Sequence, residues 1–407
     1  MKTEFYETAV QLGFYGLERG GLRGKKDNVR KYWEDTVVKL AVKPEIERML
    51  ETRSGLRVVD LGCGSGEGYE LLTHLPPSSP VHSSRGHVLR PEHITAYHGV
   101  DLSPAMIEQG RKNYSGIPSV GFEVADLNAG FPLRHEEPYD LYFSSYCSLP
   151  HLTPERLEAL LAEMFQHAKP GATVCFDLFG RHCPAWPDRW AAPLPSPHNY
   201  TMGYLLDPSE QTLERAEFFQ VWFWTGAEAR ALVAAAAARA GRAVTLVEIR
   251  DRSLFIGRHM DTAFFKDQRF TLREQVNRLF DRDHRGQVPE LTLDLAYLDS
   301  VRAHAPEARA RIQAYAAEWN AVVGTLHSLM HGRNAEVARW IETSPPRVAE
   351  ELKMLAWLLR NAERFPVVDF WASVMGPQVA CVLRNLETTL GDGVGCGHSL
   401  IVVARVE

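Results

Sequence analysis

Short apolar runs alternate with helical periodicity between about residue 56 and residue 180. Five runs predict strands: LRVVDLG (56–62), TAYHGVDLS (95–103), VGFEVADL (120–127), YDLYFSSY (139–146) and ATVCFDLFG (172–180). Amphipathic stretches at 104–114 and 153–169 predict helices between them. Strands that alternate with helices at this spacing are typical of βαβ units, so we expect an α/β fold with a parallel sheet covered on both faces.

The pattern changes after residue 180. NYTMGYLL (199–206) and RAEFFQVWFWT (215–225) predict an antiparallel flap, and the Ala-rich stretch 226–241 predicts a helix that ends at Gly241. The run 243–259 predicts either one long strand or a strand with a bent exit. The stretch 262–390 is helical throughout, and 397–407 predicts a last strand. We therefore expect a large helical insertion before the last strand of the sheet.

These elements predict three units. They are an amino-terminal helical lid (1–50), a sheet domain (51–261 and 391–407) and a helical cap domain (262–390). The stretch 76–94 is rich in Pro, Ser and His and lacks periodicity, so it is interpreted as a surface insertion before the second strand.

Charge and composition narrow the class of protein. A formal net charge of −6 argues against binding nucleic acid by bulk electrostatics. No apolar stretch approaches the ~18 residues of a membrane span, and the start MKTEFYETAV lacks the apolar core of a secretory signal. The six cysteines show no metal-ligand spacing. We expect a soluble cytoplasmic protein with reduced thiols, without a metal site and without nucleic-acid or membrane partners.

A ligand site is expected in the turn after the first strand, RVVDLGCGSGEG (57–68). A dinucleotide-binding turn needs GxGxxG, but Glu67 stands where the third glycine belongs, and no P-loop lysine follows. Asp60 ends the strand directly before the turn. Its carboxylate would repel a diphosphate by a few kcal/mol per charge pair, taking ~5 Å and an effective dielectric of ~20. The turn therefore favours a positively charged ligand, an ammonium or a sulfonium.

The pattern D-x-G-x-G-x-G after a strand resembles the first motif of class I S-adenosylmethionine (SAM)-dependent methyltransferases. Asp60, Gly62, Gly64 and Gly66 match its positions, and Cys63 lies within it. The resemblance implies a Rossmann-like sheet and SAM as the cofactor. It also implies that the turn passes close to the methionyl part of SAM, with the acidic residue near its amino group.

The same resemblance assigns the next strand ends. It implies that Asp101 accepts hydrogen bonds from both ribose hydroxyls and that Met106 covers the adenine. It places Asp126 near the adenine amino group. The implied cofactor-binding set is completed by Leu102, Leu127 and Ser144.

Residues just after the fourth strand face the reactive methyl group in this family, and Tyr146 and His151 stand there. His151 is the first candidate for the general base that an alcohol or phenol acceptor needs. His259, after the predicted long strand, is a second catalytic candidate that would meet an anionic or hydroxylated acceptor. The alternatives are a helix-capping loop histidine for His151 and an ordinary strand-exit turn for His259. His327 and His331 are four apart on one helix face but lack further metal ligands.

The helical cap suggests how an acceptor is enclosed, because about 130 helical residues can roof a pocket of small-molecule size. We expect methylation of an oxygen or nitrogen on a metabolite, sugar or natural-product intermediate. The enzyme could form a homodimer. One alternative is a non-catalytic SAM-binding protein whose helical region docks a partner or dimerises. Another is a methyltransferase of macromolecules, against which the net charge of −6 speaks.

Overall fold

The computed structural model describes residues 27–77, 86–191, 196–201, 218–257, 272–281, 288–301, 304–390 and 393–407, together with Glu7, Val10, Gln11, Gly13 and Tyr15. Within these residues it shows an eight-stranded sheet and a separate two-stranded hairpin. The strands are β1 (Leu56–Leu61), β2 (Ile94–Asp101), β3 (Val120–Val124), β4 (Leu141–Phe143), β5 (Thr173–Gly180), β6 (His198–Tyr200), β7 (Phe219–Val221), β8 (Phe223–Trp224), β9 (Val244–Arg252) and β10 (Ser399–Val406).

The order of the large sheet is β3-β2-β1-β4-β5-β10-β9, with β8 paired to the end of β5. Strands β1 to β5 run parallel, whereas β10 is antiparallel to both β5 and β9. The strand order reverses at β1, whose neighbours are β2 on one side and β4 on the other. Ligands of open α/β sheets bind beyond the carboxyl ends of strands at such a switch point. The glycine turn follows β1 at this position.

Helices pack on both faces of the sheet. Those of the sheet domain are α1 (Asp35–Leu50), α2 (Glu67–Thr73), α3 (Pro104–Asn113), α4 (Pro154–His167) and α5 (Gly226–Ala240). Because side chains alternate along a strand, Val58 packs in the core cluster that includes α1, while Val59 packs in the one that includes α4 and α5. Two predicted helix ends are confirmed: Thr153 caps α4 through its hydroxyl, and α5 ends at Gly241 in the left-handed conformation.

The described chain between β9 and β10 forms helices and helical turns. The helices are α6 (Leu272–Arg278), α7 (Pro306–Met330), α8 (Asn334–Thr343), α9 (Pro346–Arg360) and α10 (Gly376–Thr388). The α7 helix packs against α8, α9 and α10. The domain boundaries stay predictions.

The segment before α1 joins the sheet to these helices. The indole N–H of Trp33 donates a hydrogen bond to Glu387 of α10, and its ring lies 6.0 Å from that of Trp319 in α7. The Arg273 guanidinium of α6 pairs with the Glu34 carboxylate at 3.0 Å. The amino-terminal segment is therefore packed between the sheet and the helices that precede β10.

The Rossmann-like α/β sheet predicted from the sequence is confirmed. The antiparallel flap is present where the structure describes it, as the pairing of β6 with β7. Of the two alternatives for 243–259, the strand with a bent exit is confirmed: β9 ends at Arg252 because Ser253 has a φ of +62°, which an extended strand does not allow. The positions 202–217 and 258–271 lie outside the described residues.

Candidate functional site

The glycine turn presents one open side. Gly62, Gly64 and Gly66 have φ values of +68°, +54° and +91°, which residues with a Cβ rarely adopt. A Cβ at Gly62 would overlap the side chain of Ser148, whereas a Cβ at Gly64 would meet no atom within 4 Å. The backbone at Gly64 is thus the part of the turn that a ligand can approach closely.

Asp60 lies beneath the turn, not on its open side. It is 1% exposed, its Oδ2 accepts a hydrogen bond from the Tyr97 hydroxyl at 2.5 Å, and the same oxygen packs against Gly68 in α2. Burial raises the pKa of Asp60 to about 7; the Tyr97 hydrogen bond opposes this rise, and the charges of Asp101 and Glu67 add to it. Its Oδ1 accepts no hydrogen bond within the described chain. A buried carboxyl that is only partly ionised at pH 7 therefore underlies the turn.

Asp101 reaches the glycine turn from the end of β2. The backbone N–H of Gly64 donates to its Oδ2 at 2.9 Å, and the N–H of Ser103 donates to its Oδ1 at 2.9 Å. Burial raises the pKa of Asp101, while these backbone hydrogen bonds lower it. The structure thus brings Asp60, the glycine turn and Asp101 together, although the insertion at 76–94 separates them in sequence.

Apolar side chains are exposed beside Asp101. Leu102 and Val124, at neighbouring ends of β2 and β3, are 49% and 50% exposed. Apolar surface of this kind suits a planar base. Met106, the residue expected to cover the adenine, is 2% exposed in the first turn of α3.

Asp126 and Leu127 follow the end of β3. Asp126 is exposed, and its Oδ1 accepts hydrogen bonds from the backbone and side chain of Asn128, both at 2.9 Å. The side-chain and backbone hydrogen bonds from Asn128 lower the pKa of Asp126. Asp126 caps a helical turn that begins at the half-buried Leu127, so both lie at the rim of the site.

The chain after β4 is attached to the glycine turn by two serines. The Ser144 hydroxyl is buried and donates to the carbonyl oxygen of Leu61 at 2.7 Å. The Ser148 hydroxyl donates to the carbonyl oxygen of Gly62 at 3.0 Å. Cys63 is also buried, and its amide donates to the Val100 carbonyl oxygen at 3.0 Å. Ser144 and Cys63 therefore support the turn from below.

Tyr146 and Cys147 form an unusual turn in this segment. Their φ values are +63° and +59°, and their backbone amides donate to the two carboxylate oxygens of Asp177 at 3.0 Å and 2.6 Å. The guanidinium carbon of Arg30 lies 3.0 Å from the centre of the Tyr146 ring, and that of Arg252 lies 5.2 Å from it. Tyr146 is therefore held through its backbone amide and by two guanidinium groups next to its ring.

His151 lies among aromatic side chains. Its ring is edge-on to Tyr200 and Phe219 of the flap, with ring centres 6.2 Å and 5.8 Å apart. Burial lowers the pKa of His151 to about 4, so it is neutral at pH 7. Tilted and edge-on contacts continue from Tyr200 into a cluster formed by Phe179, Trp186, His198, Phe223 and His398. The region beyond β4 and β5 is thus predominantly aromatic. His259 lies outside the described residues.

Two charged residues that sequence reasoning did not single out belong to the site. Arg30 is buried and pairs with Glu67, the first residue of α2, at 2.6 Å. Asp177 is a carboxylate inside β5, a strand whose eight residues are all buried. An acid within such an apolar run (CFDLFG) is the signal that could have identified Asp177. Arg30 stands in the basic run before Trp33, where no local feature distinguishes it.

Part of the amino-terminal segment covers the turn. The hydroxyl of Ser65 donates to the carbonyl oxygen of Tyr15 at 3.3 Å. The side-chain amide of Asn113 in α3 donates to the same oxygen at 3.2 Å. The turn is therefore covered on this side by chain that precedes α1.

Comparison with known proteins connects this geometry to a family. Residues 86–171 match the family described as methyltransferase domain. This range begins in the loop before β2 and ends just before β5. It includes Asp101, Asp126, Tyr146 and His151, whereas the glycine turn precedes it. The resemblance to class I SAM-dependent methyltransferases is confirmed.

Individual relatives match over parts of their length. The malonyl-[acyl-carrier protein] O-methyltransferase of Bacillus cereus is 34% identical over 136 residues, which cover 33% of this chain and 41% of that protein. The trans-aconitate 2-methyltransferase of Methylobacterium nodulans is 32% identical over 124 residues, which cover 30% of this chain and 38% of that protein. The chain thus spans about two fifths of the length of these curated relatives.

Among solved structures, SAM-bound CalS10, an amino pentose methyltransferase from Micromonospora echinaspora, is 18% identical to this chain. It aligns with a TM-score of 0.34 over 61% of this chain and 92% of CalS10. Separately, no helix among the described residues is long and apolar enough to cross a membrane.

Proposed function

Because the chain carries a class I SAM-dependent methyltransferase domain, we propose that it transfers the methyl group of SAM to a small-molecule acceptor. The observation that carries this proposal is the hydrogen bond from Gly64 to Asp101. It joins the glycine turn and the acidic end of β2 at the switch point of the sheet. These are the two elements that hold SAM in the family.

The residues present fit SAM. The open side of Gly64 admits a ligand to the backbone, and the buried charge of Asp60 favours a cation above it. We propose that Asp101 and Asp126 bind its polar groups, beside the exposed surface of Leu102 and with Leu127 at the rim. Asp60, Cys63, Met106 and Ser144 are buried and would act from beneath. When bound, SAM supplies an electrophilic methyl group on a sulfonium.

The properties of His151 favour an acidic acceptor. A base with a pKa of about 4 is neutral at pH 7 but draws a proton only weakly. Among acceptors that must lose a proton, a phenol needs less help from such a weak base than an alcohol does, because its proton is more acidic. A carboxylate needs no base, because it is already ionised at pH 7. The names of two relatives, acting on a malonyl group and on trans-aconitate, agree with an acidic oxygen. We therefore propose O-methylation of a carboxylate or phenol of a small metabolite.

The contribution of the protein in this proposal is to position the acceptor and exclude water. Nucleophile, methyl group and sulfur must lie in line, so a held acceptor accelerates the reaction. Tyr146 and the aromatic cluster next to His151 would pack against the acceptor. The β6–β7 flap and the helices before β10 would shield the acceptor from solvent. A cytoplasmic location and dimerisation stay predictions.

The experiment is a transfer assay with SAM that carries a ¹³C-labelled methyl group. The panel contains trans-aconitate, a malonyl thioester, simple phenols, primary alcohols and amines. The proposal expects label in the carboxylate or phenol class, and loss of transfer in His151→Asn only for the phenols. His331→Asn, at an exposed site beyond α7, is the matched control and should transfer normally.

The alternatives give different results in the same assay. Binding of S-adenosylhomocysteine without transfer to any class would favour a non-catalytic SAM-binding protein. Transfer to RNA or protein at low salt would favour a methyltransferase of macromolecules.

A further inference from the structure

The turn at Tyr146 and Cys147 has a backbone conformation that these residues do not adopt without support. Two consecutive residues with a Cβ have φ values near +60°, a region that glycine occupies freely and other residues rarely enter. Backbone outliers of this kind persist only where surrounding structure imposes them, and they are concentrated at functional sites.

The support comes from one carboxylate. Asp177 accepts the amide of Tyr146 on Oδ2 at 3.0 Å and the amide of Cys147 on Oδ1 at 2.6 Å. Successive amides in the left-handed conformation point to one side and form a concave site for an anion. Here the anion belongs to the chain itself, and it is 2% exposed in the middle of β5.

Asp177 is in turn held by two further strands. The Arg252 guanidinium, at the end of β9, donates to Oδ2 at 3.0 Å. The Ser399 hydroxyl, at the start of β10, donates to the same oxygen at 2.9 Å. Burial raises the pKa of Asp177, and the Arg252 charge opposes this rise. The carboxylate is therefore fixed in the sheet by side chains from two other strands, β9 and β10.

The turn that Asp177 holds is also attached to the cofactor side of the site. Ser148, the next residue, donates its hydroxyl to the carbonyl oxygen of Gly62. Tyr146 thus projects from a short segment whose two ends are fixed, one at Asp177 in the sheet and the other at the glycine turn.

We propose that Asp177 is a positioning residue for methyl transfer: it holds the Tyr146–Cys147 turn so that Tyr146 orients the acceptor toward the methyl group. This inference rests on the proposed function. It assigns a role to an acid that does not touch SAM or the acceptor. A misplacement of about 1 Å in such a segment can cost roughly 100-fold in rate.

The experiment compares Asp177→Asn, Cys147→Gly, the double variant and Ser328→Ala. Asparagine offers one acceptor oxygen in place of two, so the amide that faced the other oxygen loses its acceptor. Glycine at 147 adopts the left-handed conformation without support, so it should compensate for the weaker acceptor. Ser328→Ala removes the hydrogen bond of a buried serine to the Glu336 carboxylate, in the helices before β10, and it is the matched control.

Three readouts separate positioning from loss of fold. In Asp177→Asn we expect amide hydrogen exchange at 146–147 to rise at least tenfold, with exchange in β1 unchanged. The Kd of S-adenosylhomocysteine should stay within threefold. With an acceptor from the panel, kcat should fall 10- to 100-fold with little change in KM. The double variant should recover at least a fifth of the normal kcat, and Ser328→Ala should stay within twofold.

Several results would overturn the inference. Unchanged exchange at 146–147 would show that Asp177 does not hold the turn. Faster exchange with unchanged kcat would show that the turn does not position the acceptor, and faster exchange throughout β1 would show a merely structural role. If the wild-type protein transfers no label to any panel compound, the proposed function fails there, and the exchange comparison still decides whether Asp177 holds the turn.

Discussion

The backbone amide of Gly64 donates a hydrogen bond of 2.9 Å to the carboxylate of Asp101, a residue 37 positions further along the chain. Through this bond the end of β2 sets the position of the open part of the glycine turn. Both partners belong to the site proposed for SAM. Disturbing either one should therefore affect cofactor binding before it affects the fold.

Replacement of Asp101 by Asn tests this relationship directly. The variant has one acceptor oxygen for two backbone amides, from Gly64 and Ser103, and it loses the charge. Hydrogen bonds to charged groups contribute about 1.5–3 kcal/mol, so we expect the affinity for S-adenosylhomocysteine to fall roughly 10- to 100-fold by calorimetry. In Asp126→Asn, on the exposed rim, the affinity for S-adenosylhomocysteine should fall less. Equal losses in the two variants would contradict the central role of Asp101.

Gly64→Ala separates backbone strain from loss of ligand space. Gly64 has a φ of +54°, and a Cβ added there would meet no atom within 4 Å. Gly241, after α5, has a φ of +65° and equally open space. Both variants should lose about 1–2 kcal/mol in the free energy of unfolding, from the cost of a left-handed residue. Only Gly64→Ala should also abolish binding of S-adenosylhomocysteine. Binding that survives in Gly64→Ala would place the ligand elsewhere.

The charge of Asp60 should distinguish SAM from S-adenosylhomocysteine. The sulfonium charge is present only in SAM, so Asp60→Asn should lower the affinity for SAM more than that for S-adenosylhomocysteine. Tyr97 keeps an acceptor oxygen in this variant, which limits damage to the fold. Calorimetry with both ligands provides the ratio. An unchanged ratio would show that the buried carboxylate does not select a cation.

The same carboxyl predicts a pH dependence. Burial raises the pKa of Asp60 to about 7, so it becomes protonated as the pH falls below 7, and the preference for SAM over S-adenosylhomocysteine should decline there. Tyr97, Asp101, Glu67, Cys63 and Tyr114 are titratable groups that interact with it. Because its folded pKa lies above the unfolded value, its contribution to stability is present at low pH and is lost as the pH rises through 7. A preference that is constant from pH 5.5 to 8 would contradict this assignment.

Arg30 should be important for stability as well as for the site. Arg30→Met removes the cation that lies 2.6 Å from Glu67 and 3.4 Å from the buried Asp35. Breaking a buried ion pair costs about 3–5 kcal/mol, which urea unfolding would measure. Lys353→Met removes the exposed pair with Glu350, at 2.7 Å, and should cost about 0–1 kcal/mol. Similar losses in the free energy of unfolding for the two variants would show that Arg30 stabilises the fold no more than an exposed charge does.

Titration of His151 should not contribute an inflection to the pH–rate profile near pH 7. Burial lowers its pKa to about 4, so it is neutral throughout pH 5–8. The rate of phenol methylation should therefore show no inflection from this residue in that range, although His151→Asn lowers the rate. An inflection between pH 6 and 7 that disappears in His151→Asn would contradict the buried, neutral state of the ring.

Much of the sheet was predictable because its signals are local. Each parallel strand is a short apolar run between helical patterns, and the turn after β1 needs glycines for its positive φ values. The end of β9 was not predictable in the same way. The apolar pattern continues past Arg252, but Ser253 adopts a left-handed conformation that no local pattern indicates.

The cofactor side was more predictable than the acceptor side. Carboxyl ends of parallel strands meet at one edge, so the order of acids along the chain already indicated that Asp60 and Asp101 converge on the glycine turn. The orientation of Asp60 beneath the turn depends on Tyr97 and Gly68, which pack against it from other elements. The roles of Arg30 and Asp177 depend on contacts with distant segments as well.

The sequence by itself indicated the α/β class, a resemblance to class I methyltransferases and a glycine turn suited to a ligand, since periodicity, glycine spacing and strand-end acids are properties of neighbouring residues. Only the tertiary structure decided which side chains are buried, which carboxylate supports Tyr146 and Cys147, and that His151 is neutral. Burial and charge pairing join residues far apart in the chain, such as Asp177 and Arg252. Their energies arise only when folding removes those groups from water.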